Sequence, residues 1–360
     1  MSNPGLYIHV PFCRKKCPYC DFYSVGFRED LAEQYADAVT RNLRYYNERY
    51  DTVYFGGGTP ILLARHIPQI LAECDIADGA EITVECNPCE MNKETLEILF
   101  SAGVNRLSVG VQSASNRELK ALGRAHDFEQ AKRAIFTAYE VGFLDISADI
   151  MLGTPVQTAE SLSHTIGELG KLPLTHISAY LLKIEPNTVF GKNMAAELRS
   201  PVLPDEDETA ELYLSAVRML TGIGFKQYEI SNFAKDGTES KHNLKYWRRE
   251  EYLGIGPAAH SFYNGKRFAI ERNLQEFMTS PRQIEVITDE NPDEIEEKIM
   301  LGLRLTEGIE KPLWERVKRA FPLIPEKYYK IENERLSLTA EGFLVSNEII
   351  STLLVHMEDL

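Results

Sequence analysis

Three cysteines stand near the start of the chain, in the run Phe12-Cys13-Arg14-Lys15-Lys16-Cys17-Pro18-Tyr19-Cys20. Their spacing, C-x3-C-x2-C, puts three thiols in one short loop. Four thiolates would complete a structural zinc site or a fully ligated iron–sulfur cluster. Three leave one iron of a [4Fe–4S] cube without a protein ligand, open to a small molecule. A zinc site would want a fourth ligand, for which His9 and Asp21 are the candidates, and the cluster is the preferred reading. Cys86 and Cys89 form a lone C-x2-C, half a site, and are read as structural. Cys74 is read as a core residue.

Two further motifs carry chemistry. Gly56-Gly57-Gly58-Thr59-Pro60 is a turn in which the bare backbone of Gly57 and Gly58 allows close approach to a ligand. His242-Asn243-Leu244-Lys245-Tyr246-Trp247 sets a histidine beside aromatics and cations. His260 follows Gly254 and Gly256 in what reads as a tight turn ending a strand and closing over the site.

These residues need elements to hold them. Short apolar segments at 6–12, 52–55, 81–86, 106–112, 145–151 and 176–182 read as strands. Helical periodicity follows at 30–46, 61–74, 93–102, 128–141 and 159–169. Strand–helix alternation of this kind implies a parallel sheet with right-handed crossovers. The fold class is therefore α/β, and six units suit a partial (β/α)6 barrel. The cysteines, the glycine turn, Glu85, Gln112 and Gly153 all fall just after strands, at the carboxyl end where such barrels place their sites. A barrel is expected over residues 1–185, a connecting region over 186–290 with a helix at 205–220, and a small helical domain over 291–360. The last has helices at 294–305, 311–320 and 340–354 and a strand at 335–339, resembling a winged helix.

The net charge of −15, from 54 acidic and 39 basic residues, argues against a protein held to nucleic acid by phosphate neutralisation. Residues 1–6 lack a basic segment followed by an apolar one, and no apolar run is long enough to span a bilayer. A cytoplasmic location is expected, where thiols stay reduced.

The cysteine loop and glycine turn resemble the radical SAM superfamily. More closely, Tyr7-Ile8-His9-Val10-Pro11-Phe12-Cys13 and Tyr54-Phe55-Gly56-Gly57-Gly58-Thr59-Pro60 resemble the group holding oxygen-independent coproporphyrinogen dehydrogenase and the HemW-type heme chaperones. The resemblance implies S-adenosylmethionine on the open iron, where one electron from a reduced cluster cleaves the sulfonium. It implies cluster ligands Cys13, Cys17 and Cys20, and contacts to S-adenosylmethionine at Tyr7, Tyr19, Gly57, Gly58, Thr59, Glu85, Gln112, Arg124 and Asp149. Carboxylates would take the ribose hydroxyls and amino group, and Arg124 the ligand carboxylate.

His242-Asn243-x-x-Tyr246-Trp247 matches the H-N-x-x-Y-W signature associated with HemW-type proteins, which bind heme. That match implies His242 as a heme ligand, stacking by Tyr246 and Trp247, and propionate pairing by Lys245, Arg248 and Arg249. His260 ranks second as a ligand. The dehydrogenase pattern has a further cysteine where this chain has Phe22, and an N-terminal segment ahead of the first strand, which here starts at about Leu6. Both departures favour a heme chaperone that delivers heme to an acceptor protein and draws on an electron donor for its cluster. The alternative is coproporphyrinogen III dehydrogenase, and the third class is a radical SAM enzyme acting on RNA. That class would want a basic appended domain, and the acidic tail counts against it.

Overall fold

In a computed structural model the chain is described over residues 3–196 and 202–357. Six strands lie side by side and parallel: β1 (Gly5–Val10), β2 (Arg49–Gly57), β3 (Asp75–Cys86), β4 (Arg106–Gln112), β5 (Asp145–Leu152) and β6 (His176–Leu181). Helices α1 (Glu29–Tyr46), α2 (Ile67–Ala72), α3 (Lys93–Ser101), α4 (Phe128–Val141) and α5 (Ala159–Leu169) form the crossovers. This is the expected partial (β/α)6 barrel.

The strands alternate, as a pleat demands. Leu6, Ile8, Val53, Phe55, Ile82, Val84, Leu107, Val109, Ile146, Ala148, Ile177 and Ala179 are buried in one apolar core with the helices. The intervening residues are Tyr7, His9, Thr52, Tyr54, Glu81, Thr83, Glu85, Arg106, Ser108, Asp145, Ser147, Asp149, His176 and Ser178. They line the other face of the sheet, so the barrel interior is polar from end to end. That interior is the platform on which a site can be built.

Three helical expectations change, one of them at 340–354, where a turn at Val345 separates Ala340–Leu344 from Ser346–Val355. The segment 61–74 is a 3-10 turn at Pro60–Leu63 followed by α2, because Pro60 and Pro68 each sit in the first turn of a new element. The segment 311–320 becomes a one-turn helix, Lys311–Trp314, and then 3-10 turns.

Beyond the barrel, helix α6 (Glu206–Gly222) starts at a capping box formed by Asp205 and Glu208. Strands β7 (Lys226–Gln227) and β8 (Asn232–Ala234) extend the sheet from β6 in antiparallel sense. Helix α7 (Lys241–Trp247) carries the histidine–tryptophan signature. Strand β9 (Tyr252–Ile255) then pairs parallel with β1, and β10 (His260–Tyr263), β11 (Lys266–Ile270) and β12 (Glu285–Asp289) complete a 12-stranded sheet. The tail begins with α8 (Glu294–Gly302). A three-stranded antiparallel sheet, Ile309–Glu310, Arg335–Leu338 and Tyr329–Glu332, packs with helices Ala340–Leu344 and Ser346–Val355, as the winged-helix resemblance anticipates. Among the described residues no helix is long and apolar enough to cross a membrane.

Candidate cofactor site at the barrel mouth

The cysteine loop leaves the end of β1 and returns to it. Phe12–Cys13 pairs with Val25–Gly26, and Val25 N donates to Pro11 O at 2.7 Å. The glycine turn at the end of β2 is locked beneath this loop. Gly58 N donates to Val10 O at 2.8 Å and Thr59 N to Phe12 O at 2.8 Å. A Cβ on Gly58 would lie 2.6 Å from Phe12 O, and one on Gly57, whose φ is +106°, 2.6 Å from the His9 ring. The small size of both residues is therefore demanded by the protein's own packing, where the sequence suggested room for a ligand. Their N–H groups are consumed internally, Gly57 N by Glu85 Oε2 at 3.1 Å.

Two donors reach the sulfurs. Thr59 Oγ1 lies 3.6 Å from Cys13 Sγ, and Arg124 Nη1 lies 3.6 Å from Cys17 Sγ. Burial pushes the Cys20 thiol up. His9 is not a fourth ligand: its Nε2 donates to Tyr23 O at 2.9 Å and its Nδ1 accepts from Tyr7 OH at 3.1 Å. Among the described residues no three Cys, His, Asp or Glu side chains converge as a single metal ion would require. A tetrahedral zinc draws its sulfurs to about 3.8 Å of one another, given a Zn–S bond of about 2.3 Å. A cube attaches each sulfur to a different iron and needs no such convergence on one ion, so the half-buried thiols of this loop fit the cube better.

Inside the mouth lie two half-buried carboxylates. Glu85 accepts from Tyr54 OH at 2.9 Å and from Gly57 N. Asp149 accepts from Ser108 Oγ, which is 3.0 Å from both of its oxygens. Burial, then the charge of Asp149, pushes Glu85 up to about 7, and burial raises Asp149 as well. Neither forms a salt bridge with a described residue, so the pair fits a cationic group supplied from outside. Gln112 has φ +69°, left-handed for a non-glycine residue, at a bulge where its side chain lies over Gly110. Arg124 also donates to Gly110 O at 2.9 Å, and its buried Nε meets no described acceptor. Tyr19 packs on Phe190 with centroids 6.5 Å apart, and burial raises its hydroxyl pKa. Cys86 is buried, its Sγ on Val84 O, and Cys74 packs against the core. Tyr54 and Ser108, which position the carboxylates, were not singled out from sequence; their inward places in the strand alternation are the signal that marks them.

His242 is at the other end. Its ring is fully buried, with Nδ1 2.8 Å from Thr52 Oγ1 and Nε2 2.7 Å from Tyr246 OH. It stacks on Tyr54 at 5.2 Å. Glu81 accepts from Lys241 N and His242 N at 2.9 and 3.1 Å, so α7 caps the amino end of the barrel. Burial takes the imidazole down to about 3. Lys245 binds Asp51 and Glu250, Arg248 binds Glu307, and Arg249 binds Glu297. Of the heme contacts expected at this signature, His242 is thus turned inward and Lys245, Arg248 and Arg249 are already paired. His260, ranked second, is exposed at the mouth.

An open barrel of parallel strands, its first strand feeding a three-cysteine loop over half-buried carboxylates, defines a radical SAM protein, and the radical SAM superfamily model matches residues 7–169. The model of the HemN C-terminal domain matches residues 290–345. The heme chaperone HemW of Bacillus subtilis is 35% identical, over 97% of this chain and 99% of its own. That of Escherichia coli is 40% identical over 71% of this chain and 69% of its own. The chain belongs to the HemW family of the radical SAM superfamily. The solved structure of Escherichia coli coproporphyrinogen III oxidase HemN, described as a radical SAM enzyme, shares the fold. The TM-score is 0.82 at 21% identity, covering 98% of this chain and 90% of that one.

Proposed function

We propose that this protein is a heme chaperone: it holds a [4Fe–4S] cluster on Cys13, Cys17 and Cys20, binds S-adenosylmethionine in the barrel, and passes heme to an acceptor protein. The observation that carries the cofactor assignment is the pair of half-buried carboxylates, Glu85 and Asp149, with no ion-pair partner among the described residues, beside a loop of three thiols. The heme assignment rests on the 35% identity to a heme chaperone over nearly the whole of both chains.

In this reading the ligand's ammonium lies by the glycine turn, where carbonyl oxygens are the groups left to offer. Glu85 and Asp149 receive the ammonium and ribose hydroxyls. Arg124, with one nitrogen to spare, takes the carboxylate, and Tyr7, Tyr19, Thr59 and Gln112 line the cavity. An electron donor reaches the cluster at the open face, and the cytoplasm keeps the thiols reduced.

The test is anaerobic reconstitution of the cluster, followed by separate additions of heme and coproporphyrinogen III. Stoichiometric heme binding, heme transfer to an apo-acceptor and no porphyrinogen decarboxylation are expected. Efficient decarboxylation would instead make the protein a dehydrogenase. Cys17→Ser should abolish cluster absorption; normal iron content in that variant would refute the ligand set.

A further inference from the structure

Where heme sits is a separate question from whether it binds, because His242 of the signature helix is buried. His260 offers what His242 lacks. It opens β10 at the mouth, after the turn that ends β9, and is exposed. A Cβ on Gly254 would lie 2.3 Å from His260 O, so the glycine lets this turn fold tightly back over its own strand. Neither nitrogen of the His260 ring is hydrogen-bonded to a described residue, whereas those of His9, His176 and His242 are engaged.

The neighbours of His260 are chemically mixed in a useful way. The charge of Arg272 acts on both His260 and His9, which places all three in one region. Partial burial, then Arg272, lowers the His260 pKa and keeps its ring neutral, the form that ligates a metal. Arg272 Nη2 reaches Asp21 O at 3.4 Å, and Lys16 Nζ donates to Phe22 O at 2.8 Å. Two cationic heads thus sit on the backbone at Asp21 and Phe22, and Phe22 is 60% exposed. Single exposed aromatics are ordinary. An exposed aromatic residue, two cations held on the backbone beside it and an unengaged imidazole on the same rim have the composition that a flat, apolar, dianionic iron chelate requires.

Resting on the proposed chaperone role, we infer that heme docks on the rim beside the cysteine loop, with His260 as axial ligand, Phe22 against the porphyrin face, and Lys16 and Arg272 on the propionates. The barrel interior stays free for the second ligand. This reverses the order in which sequence ranked the two histidines.

Heme titration of the full-length, cluster-loaded protein, followed by the Soret band, tests the assignment. His260→Ala should weaken binding by about tenfold or more and lose the imidazole-ligated spectrum, with added free imidazole restoring it. Lys16→Ala with Arg272→Ala should weaken heme but leave the affinity for heme dimethyl ester near that of the parent protein. An unchanged spectrum and affinity in His260→Ala overturns the inference and leaves the chaperone reading standing. Loss of the spectrum in a folded His242→Gln variant, checked by circular dichroism, also overturns it. If the parent protein takes up no heme, the chaperone reading itself fails and this inference with it.

Discussion

Glu85 and Asp149 lie in the barrel with hydrogen bonds but no ion-pair partner among the described residues, and their proton affinity follows from that and from burial. Glu85 is pushed up to about 7 by burial first and by the charge of Asp149 second. A carboxyl that holds its proton more tightly when folded than when unfolded loses stability as pH rises. Between its ordinary value of 4.5 and about 7 the unfolded chain has released a proton that the folded chain keeps. The ligand-free protein should therefore weaken across that interval. A cationic ligand needs the ionised carboxylate, so the affinity for S-adenosylmethionine should rise by about tenfold from about pH 6 to about pH 8. Calorimetric titration would measure it, and Glu85→Gln should flatten the profile; a slope that persists in that variant would assign the proton elsewhere. Glu85 was legible in the sequence because it ends a strand beside other polar strand ends. The burial of His242 was not, since its partners Thr52 and Glu81 lie 190 and 161 residues away in the chain. A local motif carries no trace of such contacts.

At the scale of elements, the six barrel strands were readable because each is an apolar run followed by a helical period. Strand β9 lacks that cue: it is four residues long, contains a glycine, and is followed by a hairpin strand in place of a crossover helix. Only its pairing with β1 makes it part of the parallel sheet. Helix α7 was readable as a motif, and the contacts its side chains make in the fold are structural ones. It is a seven-residue helix, too short to be stable alone, and is held by Glu81 at its start and by His242 and Lys245 pointing into the protein. His242→Ala would leave the Thr52 and Tyr246 hydroxyls without their imidazole partner and open a cavity beside Tyr54. Each newly unpaired buried group costs about 1–3 kcal/mol, so a loss of about 2–4 kcal/mol is expected in urea unfolding. Iron content per folded molecule should hold. A midpoint equal to that of the parent protein would show that α7 does not brace the amino end.

For the whole molecule, α7 also ties the barrel to the tail. Immediately after it, Arg249 reaches Glu297 on α8 at 2.6 Å, and Arg267 of β11 binds the same carboxylate. The two guanidinium groups lie 4.6 and 4.7 Å from the centre of the Phe262 ring. Backbone bonds reinforce the junction: Ile230 N to Arg304 O at 2.9 Å and Thr306 N to Tyr228 O at 3.0 Å. One carboxylate thus balances two cations that would otherwise repel each other across a half-buried seam. Glu297→Gln keeps the size and a hydrogen-bonding oxygen but removes that balance. Desolvated pairs broken on one side cost more than exposed ones, and with screening of the accessible edge a loss of about 1–3 kcal/mol is expected. Because the loss falls on the junction, it should appear as separation of the tail from the barrel before either unfolds. Hydrogen exchange would read this as faster exchange along α8, while β1 to β5 keep their protection. Thermal unfolding should broaden or split. If the variant instead melted in one transition at the parent temperature, with α8 as protected as before, the backbone bonds alone would hold the tail. The cations after the signature would then have no structural part to play.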